Sequence, residues 1–288
     1  MRFAFIRDHA SEFPVSVMCR VLEVSRSGYY TWAKRKPGPR EERRAQLVEQ
    51  IREVHEASRG IYGSPRVHQD LQEKGIDCCV NTVAKLMKDQ GIRSKTSKKF
   101  RISTTDSRHP HPIAKNHLAQ DFQTTKINEV WLTDITYIAT GEGWLYLAAV
   151  LDLCSRKIVG WSTSSTPQQE ITLEALTMAV ETRRPRPGLI HHTDRGSQYS
   201  SAAYQDLLDE YGMRCSMSRP GQCLDNAAAE SFFHTLKTEW IYHAHYKTRR
   251  EARLAIFEYI ESFYNTIRMH SSLDYRSPEE YERLRSAA

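Results

Sequence analysis

At 288 residues the chain exceeds one minimal domain, and ordinary domain sizes predict two. Hydrophobic residues make up 40% of it and aromatics 10%, which excludes a mainly disordered protein. No apolar run approaches the roughly 18 residues of a membrane span, and mean hydropathy is −0.61. The charged start Met1–Asp8 does not read as a secretory leader, so the expectation is a soluble intracellular protein. The net charge of +6 is unevenly spread: residues 1–105 carry 21 Lys+Arg against 12 Asp+Glu, the remainder 20 against 23. A basic front half points to a polyanionic partner.

Residues 14–33 read as two short helices. Val17, Met18, Val21 and Leu22 form an apolar stripe, Ser25–Gly28 breaks it, and Tyr29, Tyr30 and Trp32 follow. Lys34–Pro39 is a basic linker. From Arg40 to about Ser58 a charged helix has Leu47, Ile51 and Val54 on its apolar side. A clearer helix-turn-helix follows. Ser64 suits an N-cap, Pro65 the first helical position, and Gly75 the C′ position. Val67 and Leu71 face inward, as do Val80, Val83, Leu86 and Met87 of a second helix closed by Gly91. Asn81, Thr82, Lys85 and Lys88 are left outside, where short polar and cationic side chains can read a major groove. Arg93, Lys95, Lys98, Lys99 and Arg101 add clustered cations for phosphate contacts.

The chain thus divides into a helical DNA-binding region at 1–105 with two helix-turn-helix units, a polar Pro/His-rich linker at 106–123, a core at 124–240 and a helical extension at 241–288. Core strands are predicted over Val130–Ile138, Trp144–Leu153 and Lys157–Thr163, the first pair joined at Gly141-Glu142-Gly143. A helix from about Gln168 to Arg183 ends at Pro185–Gly188. The strand Leu189–Thr193, a helix over Ala202–Tyr211, the strand Met213–Met217 and a helix from about Asp225 complete the order. Three antiparallel strands, then helix, strand, helix, strand is the order of an α/β, ribonuclease-H-like fold with a mixed five-stranded sheet. Cys19, Cys78, Cys79, Cys154, Cys215 and Cys223 show no CxxC or zinc-finger spacing, and most are expected as small core hydrophobes.

Three acids stand out. Asp134 lies inside a strand, where Asp is depleted and costly to bury. Asp194 ends a parallel strand, the edge where α/β sheets place ligands. Glu230 lies on a helix that also carries Asn226, His234 and Lys237 on the same side. Converging carboxylates need a hard, oxygen-binding cation such as Mg²⁺ or Mn²⁺ to offset their repulsion. Two such ions can drive phosphoryl transfer.

The stretches Trp131–Tyr137, His192–Tyr199 and Asp225–Phe233 with Lys237 resemble the second-reading-frame transposases of the insertion-sequence-three family, bacterial DDE enzymes related to retroviral integrases. The resemblance spans nearly the whole chain. Tyr62–Arg66 matches the family's upstream module, and Tyr264-Asn265, Arg268, His270 and Ser277-Pro278 match its C-terminal signature. It implies that Asp134, Asp194 and Glu230 are catalytic and bind two Mg²⁺, with Mn²⁺ as a substitute, and that Lys237 contacts DNA near the reacting phosphate. It implies cleavage at the element's ends and joining of a 3′-hydroxyl to a new phosphodiester. The implied partners are duplex DNA of the terminal repeats and target, further copies of the chain, and the first-frame product, to which the second frame is often fused. The implied setting is the bacterial cytoplasm at the nucleoid. Cys79 stands where a Ser or Asn cap is common, which predicts a weaker helix start, and no zinc module precedes the core. Two other readings of the residues stay open: a DNA-binding regulator with an inert nuclease-like domain, and a ribonuclease-H-type nuclease that hydrolyses without joining.

Overall fold

The computed structural model describes residues 1–36, 38–95, 114, 116–118, 124–194, 196–218 and 226–286. Most of the 106–123 linker lies outside the described residues, as do Lys98, Lys99, Arg101 and Cys223.

The chain opens with α1 (Arg2–Asp8), α2 (Val15–Val21) and α3 (Arg26–Lys34), which enclose a small core of Ile6, Met18, Cys19 and Tyr29. The expected face of α2 is rotated: Val17 and Val21 are exposed at 39% and 73%, while Met18 and Cys19 point inward. Ser25–Gly28 is not a break. The Ser25 hydroxyl accepts the Gly28 amide at 3.0 Å and caps α3.

Next come α4 (Pro39–Ala57), α5 (Ser64–Glu73) and α6 (Val80–Asp89). Leu47, Ile51 and Val54 of α4 meet Val67 and Leu71 of α5 and Val83, Leu86 and Met87 of α6. Gly63, rather than Ser64, occupies the cap of α5, because its carbonyl already accepts the Val67 amide at 3.0 Å. Val80 is 38% exposed and leaves the buried face. Cys79 caps α6 without a side-chain bond to a helix amide, as its thiol character predicts. Gly75 and Gly91 close α5 and α6 at φ +75° and +69°, conformations that cost L side chains energy. Arg44 to Asp89 at 2.6 Å and Arg52 to Gln90 at 3.0 Å pin α4 onto the end of α6.

The core is a five-stranded sheet of β1 (Val130–Thr140), β2 (Gly143–Asp152), β3 (Ile158–Ser164), β4 (Ile190–Thr193) and β5 (Arg214–Met217), in the order β3-β2-β1-β4-β5. The first three strands pair antiparallel, and β4 and β5 join in parallel. This is the ribonuclease-H-like arrangement expected from the element order. Strand alternation sends Trp131, Ala148 and Val150 to one face, under α7 (Gln169–Arg183) and α8 (Ala202–Glu210). Leu132, Leu147, Ala149 and Leu151 go to the other, under α9 (Ala227–Glu239) and α10 (Arg249–Tyr259). Both faces are covered, which explains the nearly continuous apolar run of β2. Gly160 lets α7 lie close on β3, since a Cβ there would sit 2.2 Å from the Ala175 carbonyl oxygen.

Residues after α9 belong to the same apolar cluster as the sheet and α4–α6: Ala252, Ile256, Tyr259, Ile260 and Phe263 are fully buried in it. Asn265 pairs with the backbone of Ile158 through both amide atoms, at 2.9 and 3.0 Å, as an extra strand residue would. The final helix, α11 (Pro278–Ser286), is tied to α7 by a bidentate Arg183–Glu282 pair at 2.6 and 2.8 Å. Cys19 and Cys154 are buried, Cys78 and Cys215 half-buried, and Cys79 is exposed at the cap of a surface helix; all five are free thiols. Among the described residues no helix is long and apolar enough to cross a membrane.

Candidate active site

Thr133 on β1 and Thr193 on β4 form the last pair of the parallel register, so Asp134 and Asp194 each follow directly on a paired threonine. Asp134 remains inside β1 because that strand continues against β2, where it faces Ala149. Asp194 lies just past β4, and its Oδ1 accepts the Gly196 amide at 2.8 Å. Glu230 reaches the same region from the first turn of α9. Asn226, the N-cap of that helix, donates from Nδ2 to the Thr133 carbonyl at 3.4 Å and ties α9 to the residue before Asp134.

The electrostatics show that the three acids share one neighbourhood. Burial pushes the Asp134 carboxyl up to about 8, assisted by the charges of Asp194 and Glu230 and opposed by the Ile135 amide and Lys237. Glu230 is raised by burial and then by Asp194. Among the described residues, however, no three His, Cys, Asp or Glu side chains are drawn close enough to enclose a metal ion. The triad interacts through space, and its donor set of carboxylate oxygens alone fits a hard divalent cation. Such a cation would offset both the burial and the mutual repulsion that favour protonation.

Lys237 is not a solvated helix lysine. Its Nζ sits 4.7 Å from the centre of the Tyr137 ring, and burial lowers its pKa while Asp134 opposes that shift. Tyr137 is itself braced edge-on by Trp144 at 4.9 Å. His234, from the same helix face, is exposed. On α6, Asn81, Thr82, Lys85 and Lys88 are all exposed as expected. Lys95 is engaged elsewhere, 5.8 Å over the ring of Trp240.

No local pattern pointed to the buried polar chain beneath the two strands. Thr133 Oγ1 lies 3.2 Å from His191 Nε2, which lies 2.7 Å from the Tyr204 hydroxyl. Burial pushes His191 down to about 3, so the ring is neutral. His192, on the alternate face, meets Ser216 at 2.9 Å and Ser218 at 3.1 Å and locks β4 to β5. These contacts hold the strand ends that present Asp134 and Asp194.

The Integrase core domain family matches residues 124–223, a second Integrase core domain family residues 211–278, and an HTH-like domain family residues 42–100. Transposase InsF for insertion sequence IS3A of Escherichia coli (strain K12) is 43% identical over 284 residues, covering 98% of both chains. The 31 kDa protein of insertion element IS600 from Shigella sonnei is 44% identical over 264 residues, 92% of this chain and 97% of its own. The HTLV-2 integrase catalytic core domain, solved in complex with magnesium, is 15% identical with a TM-score of 0.44, covering 55% of this chain and 99% of that one. With identity sustained over almost its full length, the chain belongs to the transposases of the IS3 insertion-sequence family, polynucleotidyl transferases with an integrase-type catalytic core.

Proposed function

We propose that Asp134, Asp194 and Glu230 are the catalytic carboxylates of this transposase and hold two divalent cations, Mg²⁺ or Mn²⁺. The observation that carries this is their mutual electrostatic coupling, from β1, the end of β4 and α9, with Lys237 facing Asp134. When bound, the cations supply Lewis acidity for in-line attack of water or a 3′-hydroxyl on a phosphodiester. The protein's own part is positional. Asn226 fixes the start of α9 relative to β1, the Thr133–His191–Tyr204 chain fixes the strand ends, and Lys237 holds a phosphate beside the reacting one. Residues 1–105 grip the duplex through Asn81, Thr82, Lys85 and Lys88. An element has two ends and the chain one triad, so the working form is a homo-oligomer on DNA.

Incubating the full chain with Mg²⁺ and a labelled duplex carrying the element's end tests the reading. Joined products are expected. Nicked products alone would make it a nuclease, and binding without cleavage a regulator; either overturns the proposal.

Two substitutions probe the DNA contacts. Lys237→Ala is expected to lower joining at least tenfold and stability by only about 0.5–1 kcal/mol, the worth of the Tyr137 contact. Lys237→Arg keeps a cation at the phosphate and is expected to retain most joining. Joining assays and thermal melts on both variants check this. In the full chain, replacing Lys85 and Lys88 by alanine should reduce the slope of log affinity against log salt by about two, since each phosphate contact contributes roughly 0.9. Lys85→Ala alone should change sequence discrimination in competition binding.

A further inference from the structure

On the flank of α9 next to the one bearing Glu230 lies a cleft of about 490 Å³ that the proposed chemistry does not use. Three arginines from three parts of the chain open onto it: Arg66 from α5, Arg156 from the β2–β3 connection, and Arg268 from the segment after α10. Their acid complement is incomplete. Arg268 is held bidentately by Glu239 at 2.6 and 2.7 Å, and Arg66 reaches the same carboxylate at 3.6 Å. The guanidinium of Arg156 has no hydrogen-bond or ion-pair partner among the described residues, although the side chain is half-buried. Asp152, the carboxylate whose charge acts on it, already accepts from the amides of Asn128, Cys154 and Ser155. The contrast is with Arg44, Arg59 and Arg183, each paired with an acid.

Other features of the cleft favour an anion. His270 stands among the three arginines, whose charges together with burial push it down to about 2, so it adds no charge of its own. Ala227 and Ala228, the first turn of α9, line the cleft, and the Asn226 side chain does not cap that turn. Amides at the start of a 13-residue helix add to the positive field. Guanidinium groups match the geometry of phosphate oxygens.

We propose that this cleft binds a backbone phosphate of duplex DNA, on the flank of α9 beside the one that bears Glu230. The inference rests on the reading of the chain as a DNA-joining enzyme and adds a second grip on the strand, reached from the helix that carries Glu230.

Binding of the full chain to a fluorescent duplex carrying the element's end, followed by anisotropy over a salt series, tests it. Arg156→Gln is expected to weaken binding several-fold and to reduce the log–log salt slope by about one. Ser272→Glu keeps every arginine, places an anion on the exposed rim and is expected to weaken binding at least tenfold. It decides the matter even if Arg156→Gln folds poorly. Unchanged affinity and slope in folded variants would overturn the proposal. So would a cleft that takes inorganic phosphate alone, seen as a phosphate-dependent rise in melting temperature that Arg156→Gln abolishes while duplex affinity stays the same. The outcome is separable from the triad's, since joining retained by Asp134→Asn would refute the catalytic assignment and leave these binding results standing.

Discussion

Asp134→Asn, Asp194→Asn and Glu230→Gln are each expected to reduce strand joining about a thousandfold or more while duplex binding persists. Each change keeps the shape of the side chain and removes the charge that holds a divalent cation. A thousandfold loss corresponds to about 4 kcal/mol of transition-state stabilisation, within reach of one lost metal ligand. The same variants carry a second signature in the metal-free protein. An ordinary aspartate in the unfolded chain ionises near pH 3.8, whereas folded Asp134 keeps its proton to about pH 8. Across that interval the unfolded state releases a proton that the folded state retains, so stability falls as pH rises from about 4 to about 8 and then levels off. Asp134→Asn should remove that fall and make the metal-free protein more stable at pH 8, even though the enzyme is dead. Melting curves in EDTA, read beside joining assays, separate loss of a cation ligand from loss of the fold. Near-normal joining by any one of the three variants would break the assignment of the triad.

Asp134 was legible as a candidate because Asp is depleted inside strands, whereas the parallel pairing of β1 with β4, which follows Thr133 and Thr193 with Asp134 and Asp194, joins residues some 60 apart that no local pattern links. The core strands were found nearly to the residue, since the two-residue loop at Gly141-Glu142 and the Pro185–Gly188 stop punctuate a β-rich sequence. The front was harder. α1 buries only Ile6, too little to register as a period, and the inward face of α2 is chosen by contact with α1 and α3 rather than by its own valines. Ser25 reads equally as a breaker or a cap until the Gly28 amide is seen to point at it. The stacking of Lys237 on Tyr137 and the link from Thr133 to His191 join residues 100 and 58 apart, and local pattern carries no trace of such pairs. The C-terminal signature shows the same limit. Asn265 completes the edge of β3, and Arg268 and His270 gather at α9, roles that only the tertiary structure reveals.

The largest stability effect should come from Glu239, at the last turn of α9. A helix C-terminus disfavours an acid, so its retention there reflects what it neutralises. The residue is 8% exposed, and its carboxylate accepts two bonds from Arg268, itself 6% exposed, at 2.6 and 2.7 Å and one from the Tyr259 hydroxyl at 3.0 Å. Arg66 reaches it from α5, and Tyr62 of the same region donates to the Ile267 carbonyl at 3.1 Å while accepting the Met269 amide at 2.9 Å. The helix-turn-helix region, α9 and the C-terminal segment are therefore fastened at one buried point. Removing one partner of a buried pair strands the other's charge, so Glu239→Ala is expected to cost about 3–5 kcal/mol, far more than the pair's net worth against an apolar replacement. Glu239→Ala combined with Arg268→Met should recover a large part of that loss, because no charge is then left unpaired. The exposed pair Arg59–Glu258 provides the internal scale: Glu258→Ala should cost no more than about 1 kcal/mol. Urea denaturation of the three variants measures all of this on one footing. A Glu239→Ala variant within about 1 kcal/mol of the parent would mean that water reaches Arg268 and that the three segments are joined by their apolar core alone.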